Sequence, residues 1–225
     1  MNRIEYERFD GVKKIAVLRA IAVGDFVVSL PALESLRRAY PDAEIVLLAR
    51  PWAIPFCAER TLPFDRVESV PFSRGVNDAG PEDPQILDAF VARMRAERFD
   101  LAVQMHGGGR NSNPLILRFG ARTTVGMRTT DAPELDRWIP YVTWQPEVLR
   151  CLEVVGLAGG NAAATEPYLS PEASDLEQAA RYMRHGGSCV VLNPGAGDSL
   201  RRWPAERFAK VGDVLAAQGA VVYIN

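Results

Sequence analysis

The strongest constraint on this chain is its rhythm, in which short apolar runs alternate with longer stretches of helical periodicity. Residues 13–18 (KKIAVL), 44–49 (EIVLLA), 66–70, 99–105 (FDLAVQM) and 122–126 read as strands. Near-continuous apolar character marks strands covered on both faces of a parallel sheet. Residues 25–40 place Val27, Leu30, Leu33, Leu36 and Tyr40 at helical spacing, and Pro31 predicts a kink or two short helices there. Residues 52–59, 84–98, 111–119 and 145–156 read as further helices. Residues 73–84, rich in Gly, Pro, Asn and Asp, read as a surface loop, and residues 127–144 show little periodicity. Such alternation predicts an α/β protein with a doubly wound parallel sheet.

A second α/β unit begins further on. Residues 158–164 are Gly/Ala-rich and read as a linker. Ser170-Pro171-Glu172 is a helix start, and that helix is expected to stop at Gly186-Gly187. Residues 188–192 and 220–224 read as strands flanking a helix over 205–218. The expected organisation is a Rossmann-like domain over 1–157, a linker and connecting helix over 158–187, and an incomplete second α/β domain over 188–225.

Composition removes several classes. Hydrophobic residues make up 48% of the 225, enough apolar surface to exclude a disordered chain. The 26 Lys+Arg against 28 Asp+Glu give a net charge of −2, which carries no nucleic-acid footprint. The three cysteines and two histidines are scattered without metal-ligand spacing, so no metal site and no disulfide framework is expected. The N-terminal ten residues are polar, unlike a signal peptide, and no run reaches the roughly 18 apolar residues of a membrane span. The expectation is a cytoplasmic protein whose membrane contact, if any, is peripheral at the inner face.

Three stretches carry candidate chemistry. Ala22-Val23-Gly24-Asp25 follows the first strand and opens a helix. Asp25 is either a general base in the crevice at the sheet edge or simply the helix cap. His106-Gly107-Gly108-Gly109-Arg110 follows the fourth predicted strand. It is either an anion-holding loop with an arginine fork or a tight strand-to-helix turn. Asn193-Pro194-Gly195-Ala196-Gly197-Asp198-Ser199-Leu200-Arg201-Arg202-Trp203-Pro204 is either a diphosphate cradle or a loop closed by a helix-start staple at Trp203-Pro204. No G-x-G-x-x-G, P-loop, G-x-S-x-G or D-x-D pattern occurs.

Together these stretches resemble glycosyltransferase family 9, the heptosyltransferases of lipopolysaccharide core assembly. The resemblance is carried by Val23-Gly24-Asp25 with Ser29-Leu30-Pro31-Ala32-Leu33 and by Leu36-Arg37-Arg38-Ala39-Tyr40-Pro41-Asp42-Ala43-Glu44-Ile45. Phe99-Asp100-Leu101-Ala102-Val103, and Asn193-Pro194-Gly195-Ala196 running into Arg201-Arg202-Trp203-Pro204-Ala205-Glu206-Arg207-Phe208, complete it. It implies a GT-B-like fold of two Rossmann-like domains and an inverting, metal-independent transfer with no cofactor. The sugar passes from a nucleotide donor such as ADP-heptose to a glycan or lipid-linked glycan acceptor. His106 and Arg110, at the same sheet edge as Asp25, are expected to face the acceptor with Gly24. The resemblance implies Asp25 of Gly24-Asp25 as base and Arg201 as a donor-phosphate contact. It places the donor on Gly195, Ala196, Gly197, Ser199 and Arg201, although the loop offers fewer hydroxyls than family members carry. The family's second domain runs longer, so the resemblance implies a truncated transferase. Its stable first domain and weak second piece would have no transferase activity alone. The alternative is a non-catalytic sugar- or nucleotide-binding remnant of such an enzyme.

Overall fold

The computed structural model describes residues 6–182, 188–196 and 199–225. The chain divides into two compact units, Met1–Ser170 and Pro171–Asn225.

The first unit is built on six strands: β1 (Lys14–Leu18), β2 (Glu44–Ala49), β3 (Arg66–Ser69), β4 (Leu101–Gln104), β5 (Thr123–Arg128) and β6 (Arg137–Pro140). All pair in parallel, in the order β3-β2-β1-β4-β5-β6. Five helices connect them, α1 (Val23–Val27), α2 (Leu30–Ala39), α3 (Ala53–Cys57), α4 (Pro84–Ala96) and α5 (Ser112–Leu117), and α6 (Glu147–Gly156) follows β6. Ile15 and Val17 of β1 face one layer, with Leu33 and Leu36 of α2 and Val154 and Val155 of α6. Ala16 and Leu18 face the other, with Phe90 and Met94 of α4 and Ile116 of α5. Both faces of the central strands are thus covered, which is why β1 and β2 read as unbroken apolar runs. Pro31 sits in the first turn of α2, where its missing N–H costs nothing, so the expected break becomes two helices rather than a kink.

The sixth strand departs from the expectation of an aperiodic segment. β6 ends in Pro140, and a proline in a strand argues against pairing unless the strand lies at an edge. Here it does, with β5 as its single neighbour.

The amino-terminal edge of the sheet is tied together by charge and by one phenol. Arg66 meets Glu44 at 2.7 Å and Glu97 at 3.0 Å, and Lys14 meets both carboxylates. The Tyr40 hydroxyl donates to the Ala158 carbonyl at 2.8 Å and accepts from the Phe9 amide at 2.9 Å. Arg137 Nη1 donates to the carbonyls of Glu7 (3.1 Å) and Leu157 (2.8 Å). A Cβ at Gly159, whose φ is +78°, would lie 2.4 Å from the Arg8 amide nitrogen, so the two strands of chain touch there.

The second unit holds α7 (Ala173–Tyr182), β7 (Cys189–Leu192), α8 (Ala205–Ala217) and β8 (Val221–Ile224), with β7 and β8 parallel. None of these elements fully buries a residue, and Val191, Val214 and Ile224 are more than half exposed. The expected helix stop at Gly186-Gly187 lies outside the described residues.

Candidate active site

Strand order reverses at β1, which pairs with β2 on one side and β4 on the other. Connections leaving β1 and β4 therefore part to opposite sides and open a crevice at the carboxyl ends, where open α/β sheets place ligands. Residues 19–25 and 105–111 line that edge.

Asp25 stands in the first turn of α1, exposed at the surface. The helix cap is Ala22, and no side chain caps it, so capping does not explain Asp25. Among the described residues the Asp25 carboxylate has no hydrogen-bond or ion-pair partner, whereas its backbone carbonyl accepts Arg19 Nη2 at 2.9 Å and Nε at 3.3 Å. A Cβ at Gly24 would meet nothing within 4 Å, so the surface before Asp25 is open.

The loop after β4 behaves differently from one side chain to the next. His106 is 9% exposed and directs Nε2 at the Gly75 carbonyl (3.2 Å), with Nδ1 buried and without a partner among the described residues. Burial, reinforced by the nearby charge of Arg19, pushes its pKa down to about 4, so the ring is neutral. Arg110 points outward, with its side chain 76% exposed, and meets Asp131 at 3.4 Å. Two of the three glycines have a packing explanation, whereas Gly107, with φ of +61°, is there for its left-handed backbone. A Cβ at Gly108 would lie 2.6 Å from Thr129 Cγ2, and one at Gly109, where φ is +91°, would lie 2.7 Å from the Met127 carbonyl oxygen. The tight-turn reading accounts for both.

Residues that sequence reasoning passed over bind this edge together. Arg19, closing the apolar run of β1, has no exposed side-chain surface. It reaches the Met105 carbonyl at 2.6 Å and Glu147 Oε1 at 2.7 Å as well as the Asp25 carbonyl. An arginine at the end of a buried strand was the available signal, since so costly a burial needs a purpose. Beside it, Ala22, Val23, Arg50, Trp52, Pro55 and Phe56 line an open depression of about 730 Å³. Arg50 Nε and Trp52 Nε1 each donate at 3.0 Å to the β1–α1 loop, at the carbonyls of Ala20 and Ile21.

In the second unit, Gly195 is exposed and the Ala196 carbonyl accepts Arg202 Nε at 2.8 Å. Ser199 and Arg201 lie exposed in one 3₁₀ turn, and Arg201 has no partner among the described residues. Gly197 lies outside them. Trp203 packs edge-on against Phe208 at 5.1 Å, the contact across the start of α8 that a hydrophobic staple makes. No group of three or more His, Cys, Asp or Glu among the described residues is placed to hold a metal. No described helix is long and apolar enough to cross a membrane.

The sequence model of glycosyltransferase family 9 (heptosyltransferase) matches residues 88–225, more than half the chain. The chain belongs to glycosyltransferase family 9. Solved structures agree in fold. A family 9 glycosyl transferase from Veillonella parvula superposes with a TM-score of 0.70 at 20% identity, covering 98% of this chain and 63% of that one. The E. coli ADP-heptose LPS heptosyltransferase II gives 0.65 at 18% identity, covering 94% and 63%. The E. coli heptosyltransferase WaaC with ADP-2-deoxy-2-fluoro heptose gives 0.66 at 20%, covering 94% and 68%. This chain therefore spans just under two thirds of the first two structures' length and shares the GT-B-like fold of family 9. No curated sequence matches it.

Proposed function

We propose that this family 9 protein transfers a heptose-type sugar from an ADP-linked donor to a lipopolysaccharide-core or related glycan, inverting the anomeric centre without a metal. The observation that carries the reading is the exposed carboxylate of Asp25, unpartnered among the described residues, at the switch point of the sheet. A hydroxyl is a weak nucleophile until its proton is taken as the new bond forms. In this reading Asp25 accepts that proton, and the hydroxyl oxygen attacks the anomeric carbon from the face opposite the leaving group. The bond to the diphosphate oxygen breaks, and its electron pair leaves with the nucleotide. Arg201, with the backbone of Gly195, Ala196, Gly197 and Ser199, receives that negative charge. The acceptor lies on Gly24 and Arg110, along the loop that His106 anchors. The work is done in the cytoplasm, with a lipid-linked acceptor met peripherally at the membrane's inner face.

Arg110 is suited to an anionic acceptor, since a guanidinium fork matches carboxylate or phosphate. Replacing it by Ala is expected to raise the acceptor's KM about tenfold, as loss of an exposed charge-assisted contact implies, while donor affinity stays unchanged. Steady-state kinetics with ADP-heptose and a core oligosaccharide check this. A fall in donor affinity instead would reverse the assignment of substrates to units. Ligand binding without turnover under every condition would favour a binding module.

A further inference from the structure

Arg19 presents a puzzle. Its guanidinium is wholly buried beside the turn that bears Asp25, and a buried cation ordinarily pairs with the nearest carboxylate. Arg19 instead donates to the Asp25 carbonyl and takes its countercharge from Glu147 at 2.7 Å, across the sheet edge on the first turn of α6. The other oxygen of Glu147 holds Arg150, itself 4% exposed. Arg150 grips the carbonyls of Val142 (2.6 Å) and Gln145 (3.0 Å), which fixes the segment leading into α6. One carboxylate thus serves two buried guanidinium groups and joins the connections after β1, β4 and β6.

We infer that Glu147 is a positioning residue, holding Arg19 on the Asp25 carbonyl so that the Asp25 carboxylate stays unpaired and free to take a proton. The inference rests on Asp25 being the base. Without Glu147, Arg19 would be a buried, uncompensated cation held against the Asp25 carbonyl at 2.9 Å. Its uncompensated charge beside that turn would favour the ionised carboxylate and make it a poorer base. The other charged or titratable groups at this edge do not replace Glu147. Arg50 and Arg150 are cations, His106 is neutral, and Cys151 of α6 is a thiol pushed up to about 11 by burial.

The test is a ¹³C-carboxyl NMR titration of Asp25 in the 225-residue chain. Glu147→Gln is expected to lower the Asp25 midpoint by about one pH unit, a tenfold loss of proton affinity. Arg19→Met combined with Glu147→Gln removes the cation that touches the Asp25 turn, leaving Arg150 on the carbonyls of Val142 and Gln145, and is expected to move the midpoint back towards the wild-type value. If Glu147→Gln does not fold, Glu147→Asp takes its place, because its shorter arm cannot span both guanidinium groups. The shift is then smaller and in the same direction. A folded variant of either kind with the wild-type midpoint overturns the proposal, as does a double variant whose midpoint does not move back. The titration does not depend on turnover. If Asp25→Asn leaves transfer intact, the base assignment fails while the charge arrangement can still be read. If transfer is lost and the midpoint does not move, only the role of Glu147 fails.

Discussion

Asp25→Asn is expected to lower turnover by about 10²–10⁴-fold, the usual worth of a general base. Melting should stay within about 0.5 kcal/mol of wild type, as for surface changes away from special features. The pairing of these outcomes follows from the geometry. The cap of α1 is Ala22, and the Asp25 carboxylate touches no described partner, so the fold has little invested in its charge. Asparagine keeps the shape and leaves the backbone carbonyl available to Arg19. Transfer from ADP-heptose and thermal melting, measured on the same preparations of the full-length transferase, decide the matter. Retained turnover would remove Asp25 from the chemistry. Retained turnover with a stability loss near 1 kcal/mol would return it to a local backbone role.

The second large effect is a dependence of stability on pH that originates at His106. Burial lowers its pKa from 6.5 to about 4 in the folded protein. Below pH 6.5 the unfolded chain binds a proton that the folded chain refuses. Stability from this group is therefore complete above pH 6.5 and is lost as pH falls towards 4. Each unit of that window is worth about 1.4 kcal/mol, so the whole window amounts to roughly 3 kcal/mol. Glu44 and Glu97, held below the ordinary carboxylate range by Arg66 and Lys14, add a loss of the same sign through the more acidic carboxylate range. His106→Gln removes the histidine contribution alone. Urea unfolding at pH 7 and pH 5 should show wild type losing about 2 kcal/mol more than the variant over that interval. Equal losses would mean that His106 is protonated in the folded chain or reaches solvent.

Much of this arrangement was legible from residue patterns. The apolar runs of β1, β2 and β4 announced a sheet buried on both faces, and Pro31 announced the break between α1 and α2. Gly24-Asp25 and the glycine loop after β4 fell at the carboxyl edge because parallel crossovers put them there. What stayed hidden depended on partners distant in sequence. β6 is short and carries Trp138 and Pro140, and only its place at the sheet edge makes it a strand. Whether Asp25 caps its helix depends on a turn that starts at Ala22, which local composition does not fix. The Arg19–Glu147 pair joins residues 128 positions apart, and nothing near Glu147 marks it as the counterion of a buried arginine.

The clasp at the amino-terminal edge has a practical consequence for protein engineering. Tyr40 joins Phe9 to Ala158, and Arg137 joins Glu7 to Leu157, so residues 7–9 lie beside residues 157–158. A short Gly/Ser linker between residues near 160 and 7 would close that unit into a ring, because compact domains with neighbouring ends tolerate circular permutation. New ends cut into the exposed loop around Gly80 would then leave β1 and β4 covalently unbroken. The join itself would lie on the opposite edge of the sheet from Asp25, where it could not obstruct a bound glycan.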